Sequence, residues 1–436
     1  MKTPRTHQEQ AIALGRDHNP LLFYETGLGK TLIGAAIARE FRDRSVSRAN
    51  LVVASPAGSL GQWVREIRDQ DPYTPVEVWD SNNWRPLKRG EAVWIVTHYD
   101  AVPRLLPVLS EVLWATIVAD ECHKIKNPQA KRTKAFKKLQ AQRRVAMTGS
   151  PKDKYITELW SVLNWLYPPL FKSRWKFDQE YVTYERNYLG YHVPVGYKNL
   201  DQLTALMRPF TRVETKESAA PYLPPLIHTL IPIRLGPQQR RAYDKIRKAD
   251  DIELDLSDLG RADPMLIKHA MDRIIKEQRA ASYPASLGLD MPSAKFEWLR
   301  EWLEANPEQQ VIVFTRFQHT AKVLAEMLKC AFVIGGQISG LDDFQERRQR
   351  IVVGTIGALG TAYDLPMADT SIFMELERPH LLNHQARGRH HREGITTPKQ
   401  CIYLVAEDTI DEVIYQADQE KWDDNKFIYE ALRRGL

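Results

Sequence analysis

The stretch Tyr24-Glu25-Thr26-Gly27-Leu28-Gly29-Lys30-Thr31 sits between an apolar run, Leu21-Leu22-Phe23, and a helix-like run from Leu32 to Phe41. Strand, glycine loop and helix in that order form the context a phosphate cradle needs. Glycines let backbone N–H groups close on phosphate oxygens, Lys30 can reach the β- and γ-phosphates, and the Thr31 hydroxyl is placed to ligate Mg2+. The full GxxxxGK(S/T) pattern is not met, since Tyr24 stands where the first glycine belongs. Alone, such a loop is also an ordinary turn before a helix. It has a partner, however: Ala115-Thr116-Ile117-Val118-Ala119 reads as a buried strand and ends in Asp120-Glu121-Cys122-His123. Asp120 can hold a metal ion, and Glu121 can orient and deprotonate water. Together the two motifs point to nucleotide hydrolysis.

Working outward, residues 21–170 alternate short apolar strands with helical patterns: Leu51 to Ala54, Ala92 to Val96, Ile117 to Ala119 and Arg144 to Met147. A second block holds Val311 to Phe314, Ile351 to Val353, Ser371 to Met374 and Cys401 to Val405. This alternation signals parallel sheets covered by helices, hence an α/β protein of two lobes. Between them, Phe171 to Pro292 reads as mainly helical apart from Ile227 to Leu235, and Pro221-Tyr222-Leu223-Pro224-Pro225 reads as the connection. The expected division is 1–225, with a helical insertion near 171–220, and 226–436, with an insertion near 238–290 and a helical brace over 409–436.

The length of 436 residues suits two domains of about 200 residues each. Lys and Arg exceed Asp and Glu by 6, a balance that fits an anionic partner and equally a merely soluble surface. Cys122, Cys330 and Cys401 have neither CxxC nor Cys/His ligand spacing, so no structural metal and no disulfide framework is indicated, and a reducing, cytoplasmic setting is the simplest reading. No uncharged run approaches the ~18 residues of a membrane span, and the N-terminus lacks the apolar core of a signal peptide.

Further motifs follow in an order that resembles the Swi/Snf-like branch of superfamily 2 helicases over nearly the whole chain. Arg5-Thr6-His7-Gln8 resembles that family's adenine-reading LRPYQ, with Arg5 and Gln8 matching, and Glu25 to Thr31 resembles DEMGLGKT, with Tyr24 in place of the aspartate and Thr26 in place of the methionine. Val53 to Trp63 is similar to the DNA-contacting motif after the first helix, although Trp63 read alone is equally a core residue. Lys126-Asn127-Pro128 and Met147-Thr148-Gly149-Ser150-Pro151 resemble KN and LTGTP motifs, the second of which couples hydrolysis to the nucleic-acid site. Glu158 to Pro168, Arg208 to Arg212, Leu223 to Pro225 and Gln238 to Tyr243 add to the likeness. In the second lobe, Val313-Phe314-Thr315-Arg316-Phe317 looks like a phosphate contact at a strand end. Gly354-Thr355-Ile356-Gly357-Ala358-Leu359-Gly360 resembles the coupling motif there, with about two extra residues before Ala368-Asp369 and a shortened Gly335 to Phe344 stretch that lacks a clear helix. Gln385-Ala386-Arg387-Gly388-Arg389-His390-His391-Arg392 resembles QAxxRxHRxG, with Gly394 two positions on, and Asp408 to Glu412 resembles GTVDE, which begins a helix packed back on the first lobe. His390 and His391 are adjacent, so they cannot both face one metal ion on a helix.

The resemblance implies two RecA-like lobes, with ATP and Mg2+ bound where they meet. Lys30, Asp120, Glu121, Arg389 and Arg392 would carry hydrolysis, the two arginines as fingers on the γ-phosphate. Arg5, Gln8, Glu25, Thr26, Gly27, Leu28, Gly29, Lys30, Thr31 and Gly360 would hold the nucleotide, and Thr31 and Asp120 the metal. Gln62, Trp63, Thr148, Thr315, Arg316 and Thr355 would contact DNA. The implied activity is a monomeric DNA-dependent ATPase that moves along duplex or branched DNA, with a recruiting replication or repair protein as a candidate further partner. The alternatives are a strand-separating or branch-migrating helicase and a nucleotide-gated binding protein, the latter opposed by the intact Lys30, Glu121, Arg389 and Arg392. Phe373 to Pro379 resembles the compact annealing-helicase subgroup and favours branched DNA, and the assigned lobes leave no stretch for a chromatin-reading, zinc or nuclease module.

Overall fold

Leu21-Leu22-Phe23-Tyr24 is buried at every position, and so is Ala49 to Ala54, which marks strands covered on both faces. These are β1 (Leu21–Tyr24) and β2 (Ala49–Ala54), followed by β3 (Val76–Val78), β4 (Val93–His98), β5 (Leu113–Asp120) and β6 (Gln140–Thr148). A hairpin of β7 (Val182–Arg186) and β8 (His192–Tyr197) and the strand β9 (Thr211–Glu214) come next. The computed structural model describes residues 3–55, 59–149, 156–186, 192–249, 264–378, 380–392 and 394–420. The chain divides between Tyr222 and Leu223 into two compact units.

The first unit's sheet has the order β3-β4-β2-β5-β6-β1-β9, and all its pairs are parallel. The side-chain alternation of each strand feeds two separate cores. Leu21, Phe23, Leu51, Ile95 and Ile117 pack on one face, and Leu22, Val52, Val96 and Val118 on the other. Each such buried aliphatic side chain stabilises by about 1.5–3 kcal/mol, so the middle layer is the rigid part. The order places the carboxyl ends of β5, β6 and β1 side by side, with Asp120 opposite Met147 and Thr148 opposite Phe23. Open α/β sheets bind ligands along that edge.

The second unit repeats the plan with β10 (Leu226–Ile233), β11 (Val311–Thr315), β12 (Ala331–Ile334), β13 (Gln337–Ser339), β14 (Ile351–Thr355), β15 (Thr370–Phe373) and β16 (Lys399–Ala406). Their order is β10-β16-β15-β11-β14-β12-β13, parallel except at β12–β13. Ile312 and Phe314 face one core, Val311 and Val313 the other.

Three features differ from the sequence reading. The region expected to be mainly helical after Phe171 contains the separate β7–β8 hairpin and also β9, which joins the first sheet beside β1. Val182 to Arg186 mixes β-formers with charges because both its faces are largely solvated, so no apolar alternation marks it. The short stretch from Gly335 turns tightly on Gly335 (φ 55°) and Gly336 (φ 88°) into β13, and a five-residue helix, Leu341–Gln345, does follow. Pro56 to Gly58, Ser150-Pro151, residues 250–263 of the second insertion and the brace beyond residue 420 lie outside the described residues.

Candidate nucleotide site and arginine motif

The glycine loop closes as its sequence requires. Gly27 (φ 100°) and Gly29 (φ 77°) take left-handed conformations that a side chain would strain, and Gly29 caps helix α2 (Lys30–Arg42). Lys30 is therefore the first residue of α2, Thr31 is half-buried beside it, and the Lys30 Nζ donates to the Tyr24 carbonyl at 2.8 Å. Tyr24 is wholly buried, and its hydroxyl donates to the His7 carbonyl at 2.9 Å, so the ring that replaces the first glycine anchors the loop to helix α1 (Thr6–Asp17). Gln8 does similar work: its Oε1 accepts from the Arg5 N–H at 3.0 Å and its Nε2 donates to the Leu28 carbonyl at 3.2 Å. Both ends of the amide expected to read adenine are thus engaged in latching the loop. Arg5 lies over the Tyr222 ring and lines a half-open cleft of about 830 Å3 together with Thr6, His7, Arg212 and Tyr222. The Glu25 carboxylate accepts from the Lys216 N–H at 2.6 Å, at the start of the short helix Lys216–Ala219, rather than turning into the loop.

At the end of β5, Glu121 is a non-glycine residue at φ 49°, a strain of about 1–3 kcal/mol that sites of function tend to hold. The turn aims the two carboxylates differently. Asp120 accepts from the Glu121 N–H at 3.0 Å and from the Trp63 indole N–H at 2.8 Å, while the Tyr99 hydroxyl donates to its carbonyl at 2.8 Å. Glu121 Oε2 accepts from the Thr148 hydroxyl at 3.1 Å and lies 3.2 Å from His123 Nδ1. Burial and the neighbouring Glu121 charge push the Asp120 carboxyl up. Burial acts the same way on Glu121, but the His123 hydrogen bond, the Lys30 charge and Thr148 outweigh it and hold that carboxyl down. A buried carboxylate beside one that is largely buried ionises with it at a cost that a divalent cation removes. Thr26 Oγ1 is buried without a hydrogen-bond partner and, like Lys30 Nζ, stands 3.2 Å from where a Cβ on Gly149 would lie. A glycine loop, a lysine, an orphaned hydroxyl and an acidic pair fit a nucleotide triphosphate with its Mg2+.

In the second unit, helix His380–Arg387 leads into the arginine motif. Arg389 Nε donates to the Gly360 carbonyl at 2.6 Å, and Asp364 Oδ1 takes Arg389 Nη1 at 3.1 Å and Arg392 Nη2 at 2.5 Å. Burial lowers the Arg392 guanidinium to about 10, against the pull of Asp364, so it remains charged at neutral pH. The bare Gly360 lets helix Leu359–Ala362 approach Ala386, where a Cβ would come within 2.7 Å of that side chain. The two neighbouring histidines point apart, His390 to the Gln400 carbonyl and His391 to that of Pro224.

Residues 7–283 match the SNF2-related domain and residues 294–394 the helicase conserved C-terminal domain. The chain belongs to the SNF2-related family. It is 26% identical to the human SWI/SNF-related matrix-associated actin-dependent regulator of chromatin subfamily A member 1, over 92% of this chain and 41% of the relative. A putative ATP-dependent helicase/translocase of Bacillus subtilis is 25% identical over 89% of this chain and 44% of its own length. The chain thus spans about two fifths of these relatives. A solved Sulfolobus solfataricus SWI2/SNF2 ATPase core in complex with dsDNA is 24% identical, with 95% of this chain and 90% of that one covered and a TM-score of 0.47.

Within this SNF2-related chain the first unit brings Lys30, Thr26, Asp120, Glu121 and Thr148 to one sheet edge. The residues expected to touch DNA fare differently. Trp63 is fully buried and turned to Asp120, which corrects its assignment as a DNA contact: its helix α3 (Leu60–Gln70) buries the stripe Trp63, Ile67 and Gln70. Thr148, Thr315 and Thr355 are likewise inward. The Thr148 and Thr315 hydroxyls donate to Glu121 at 3.1 Å and to Glu375 at 2.7 Å, so they shape strand ends instead of presenting donors to phosphate, while the Thr355 hydroxyl accepts from the Ala358 N–H at 3.3 Å. Arg316 is held by Glu377 at 3.2 Å, and Gln62 stays partly exposed. Sequence reasoning passed over His123, Tyr99 and Asp364. His123 stood inside a quoted motif, while Asp364 falls in the stretch noted as longer than expected, the one signal that singled it out.

Proposed function

We propose that this SNF2-related chain is a DNA-dependent ATPase that uses hydrolysis to move along duplex or branched DNA. What carries the reading is the buried Asp120-Glu121 pair at the end of β5, next to Lys30 and the glycine loop at the end of β1. The backbone N–H groups of the loop and Lys30 bind the phosphate chain of ATP. Asp120 and Thr31 would hold Mg2+, which would neutralise phosphate charge. Glu121 orients water and takes its proton at the carboxylate. That carboxylate is tied to Thr148 and His123, which couples its orientation to the end of β6. Arg389 and Arg392, pre-set by Asp364, stabilise charge on the γ-phosphate. Nucleic acid as the partner is supported by the motif resemblance and by relatives named helicase and translocase.

The test is ATP turnover with and without duplex DNA. Lys30→Ala should weaken nucleotide binding and hydrolysis together. Glu121→Gln should keep binding and lose turnover by about 10²-fold or more, as for loss of a general base. Undiminished turnover in Glu121→Gln would remove the assignment.

A further inference from the structure

A buried indole N–H needs an acceptor, which Trp114 finds in the Leu109 carbonyl and Trp94 in the Asp71 carboxylate. Trp63 donates to the carboxylate of Asp120, at 2.8 Å, with both residues buried, and here the acceptor is a member of the acidic pair. The ring is fixed from the other side as well. Gly34 of α2 carries no side chain, and a Cβ there would lie 2.9 Å from Trp63 Cη2 and 3.0 Å from Met147 Cε, so the rim of the indole rests against bare helix. Trp63 is therefore wedged between the helix that follows the phosphate loop and the acidic end of β5. Asp120 has a second donor, the Glu121 N–H at 3.0 Å on its other oxygen. With one donor on each oxygen the plane of the carboxylate is set, and each oxygen keeps a lone pair for another partner.

We propose that Trp63 is a positioning residue of the nucleotide site, its indole N–H holding the Asp120 carboxylate in the orientation in which that carboxylate serves Mg2+. The inference rests on the reading of Asp120 as the metal-side carboxylate. Groups that hydrogen-bond to metal ligands commonly govern metal affinity by about 10–100-fold, and a charge-assisted N–H···O bond in a dry site belongs to that class. On the same helix Arg65 and Arg68 face solvent, while Trp63 faces the acidic pair.

The experiment uses the full chain and measures binding of a fluorescent N-methylanthraniloyl-ADP by anisotropy, in Mg2+ and in EDTA. Trp63→Phe keeps a ring and deletes the N–H. Its affinity in EDTA should match the wild type, while the gain in affinity on adding Mg2+ should shrink by about tenfold or more. Site-specific replacement of Trp63 by benzothienylalanine, in which sulfur stands for the N–H in a ring of the same shape, should give the same loss and settles the matter should the phenylalanine variant fail to fold. An unchanged Mg2+ gain in the benzothienylalanine protein, or an equal loss of affinity in EDTA and in Mg2+, overturns the proposal and leaves Trp63 as packing. A wild-type protein that binds no nucleotide, or binds it with no Mg2+ gain, overturns the reading of the site itself.

Discussion

Two arginines that share one carboxylate oxygen are a costly arrangement unless their direction is useful. Asp364 is one-third exposed, yet it gathers Arg389 and Arg392, the first of which is also anchored on the Gly360 carbonyl. If these arginines act on the γ-phosphate, Asp364→Asn should lower kcat about tenfold with little change in KM, because orientation at the transition state is lost and ground-state binding is not. Arg392→Ala should slow hydrolysis further and leave duplex affinity and its salt dependence nearly unchanged. A fall of ~0.9 in the slope of log affinity on log salt would instead make Arg392 a phosphate-backbone contact. ATP turnover and a salt series of DNA titrations on the same variants separate the two roles.

Helix His380–Arg387, which precedes the arginine motif, is fixed by a charged cluster. Asp418 accepts from Asn383 Nδ2 at 2.7 Å, lies 3.0 Å from His380 Nδ1 and pairs with Arg387, whose Nε donates to the Tyr403 hydroxyl at 2.8 Å. Burial disfavours the charged Asp418, but the Arg387 charge and the His380 hydrogen bond win and hold its carboxyl well below the usual range. Asp418→Asn strands Arg387 as a buried cation and should destabilise the second unit by about 3–5 kcal/mol at neutral pH. A carboxyl depressed in the folded state contributes fully above its unfolded value near 4 and is lost as pH falls below it. The gap in melting temperature between Asp418→Asn and wild type should therefore be largest at pH 6–8 and narrow toward pH 3. The same cluster explains what could be read from the sequence. Strands such as Val311 to Thr315 declare themselves because burial on both faces leaves a continuous apolar run, and Gly29-Lys30 and Asp120-Glu121 because their chemistry is local. The anchors of the site are not local: Trp63 reaches Asp120 across 57 positions and Asp418 reaches Arg387 across 31, pairings that only the folded sheets bring about. The β7–β8 hairpin escaped notice for a different reason, since strands with solvated faces lack the alternation that reveals them.

At the scale of the whole molecule, two units built on largely parallel sheets carry the candidate residues, the first an acidic pair and a lysine near its strand ends, the second an arginine pair after helix His380–Arg387. If the chain is the DNA-dependent motor proposed above, it grips phosphates, and gripping one strand does not require the bases to part. Separation of a plain duplex must offset stacking of ~1.4 kcal/mol per base-pair step, whereas at a fork or junction the pairs lost on one side are regained on the other. The described residues include one candidate for a splitting element, the β7–β8 hairpin, which stands outside the seven-stranded sheet of its unit. Its Val182 is buried at the root and Tyr184 is half-buried, while Thr183, Glu185 and Arg186 are exposed, so the fully exposed side chains of strand β7 are polar. Duplex DNA should accordingly stimulate ATP turnover, and the protein should displace a triplex-forming strand or regress a fork faster than it unwinds a tailed duplex. The three reactions measured at one protein concentration, with Glu121→Gln as the inactive control, provide the check. Efficient unwinding of the tailed duplex, lost on deletion of residues 182–197 while ATP turnover persists, would make the hairpin a strand splitter and the protein a helicase in the strict sense.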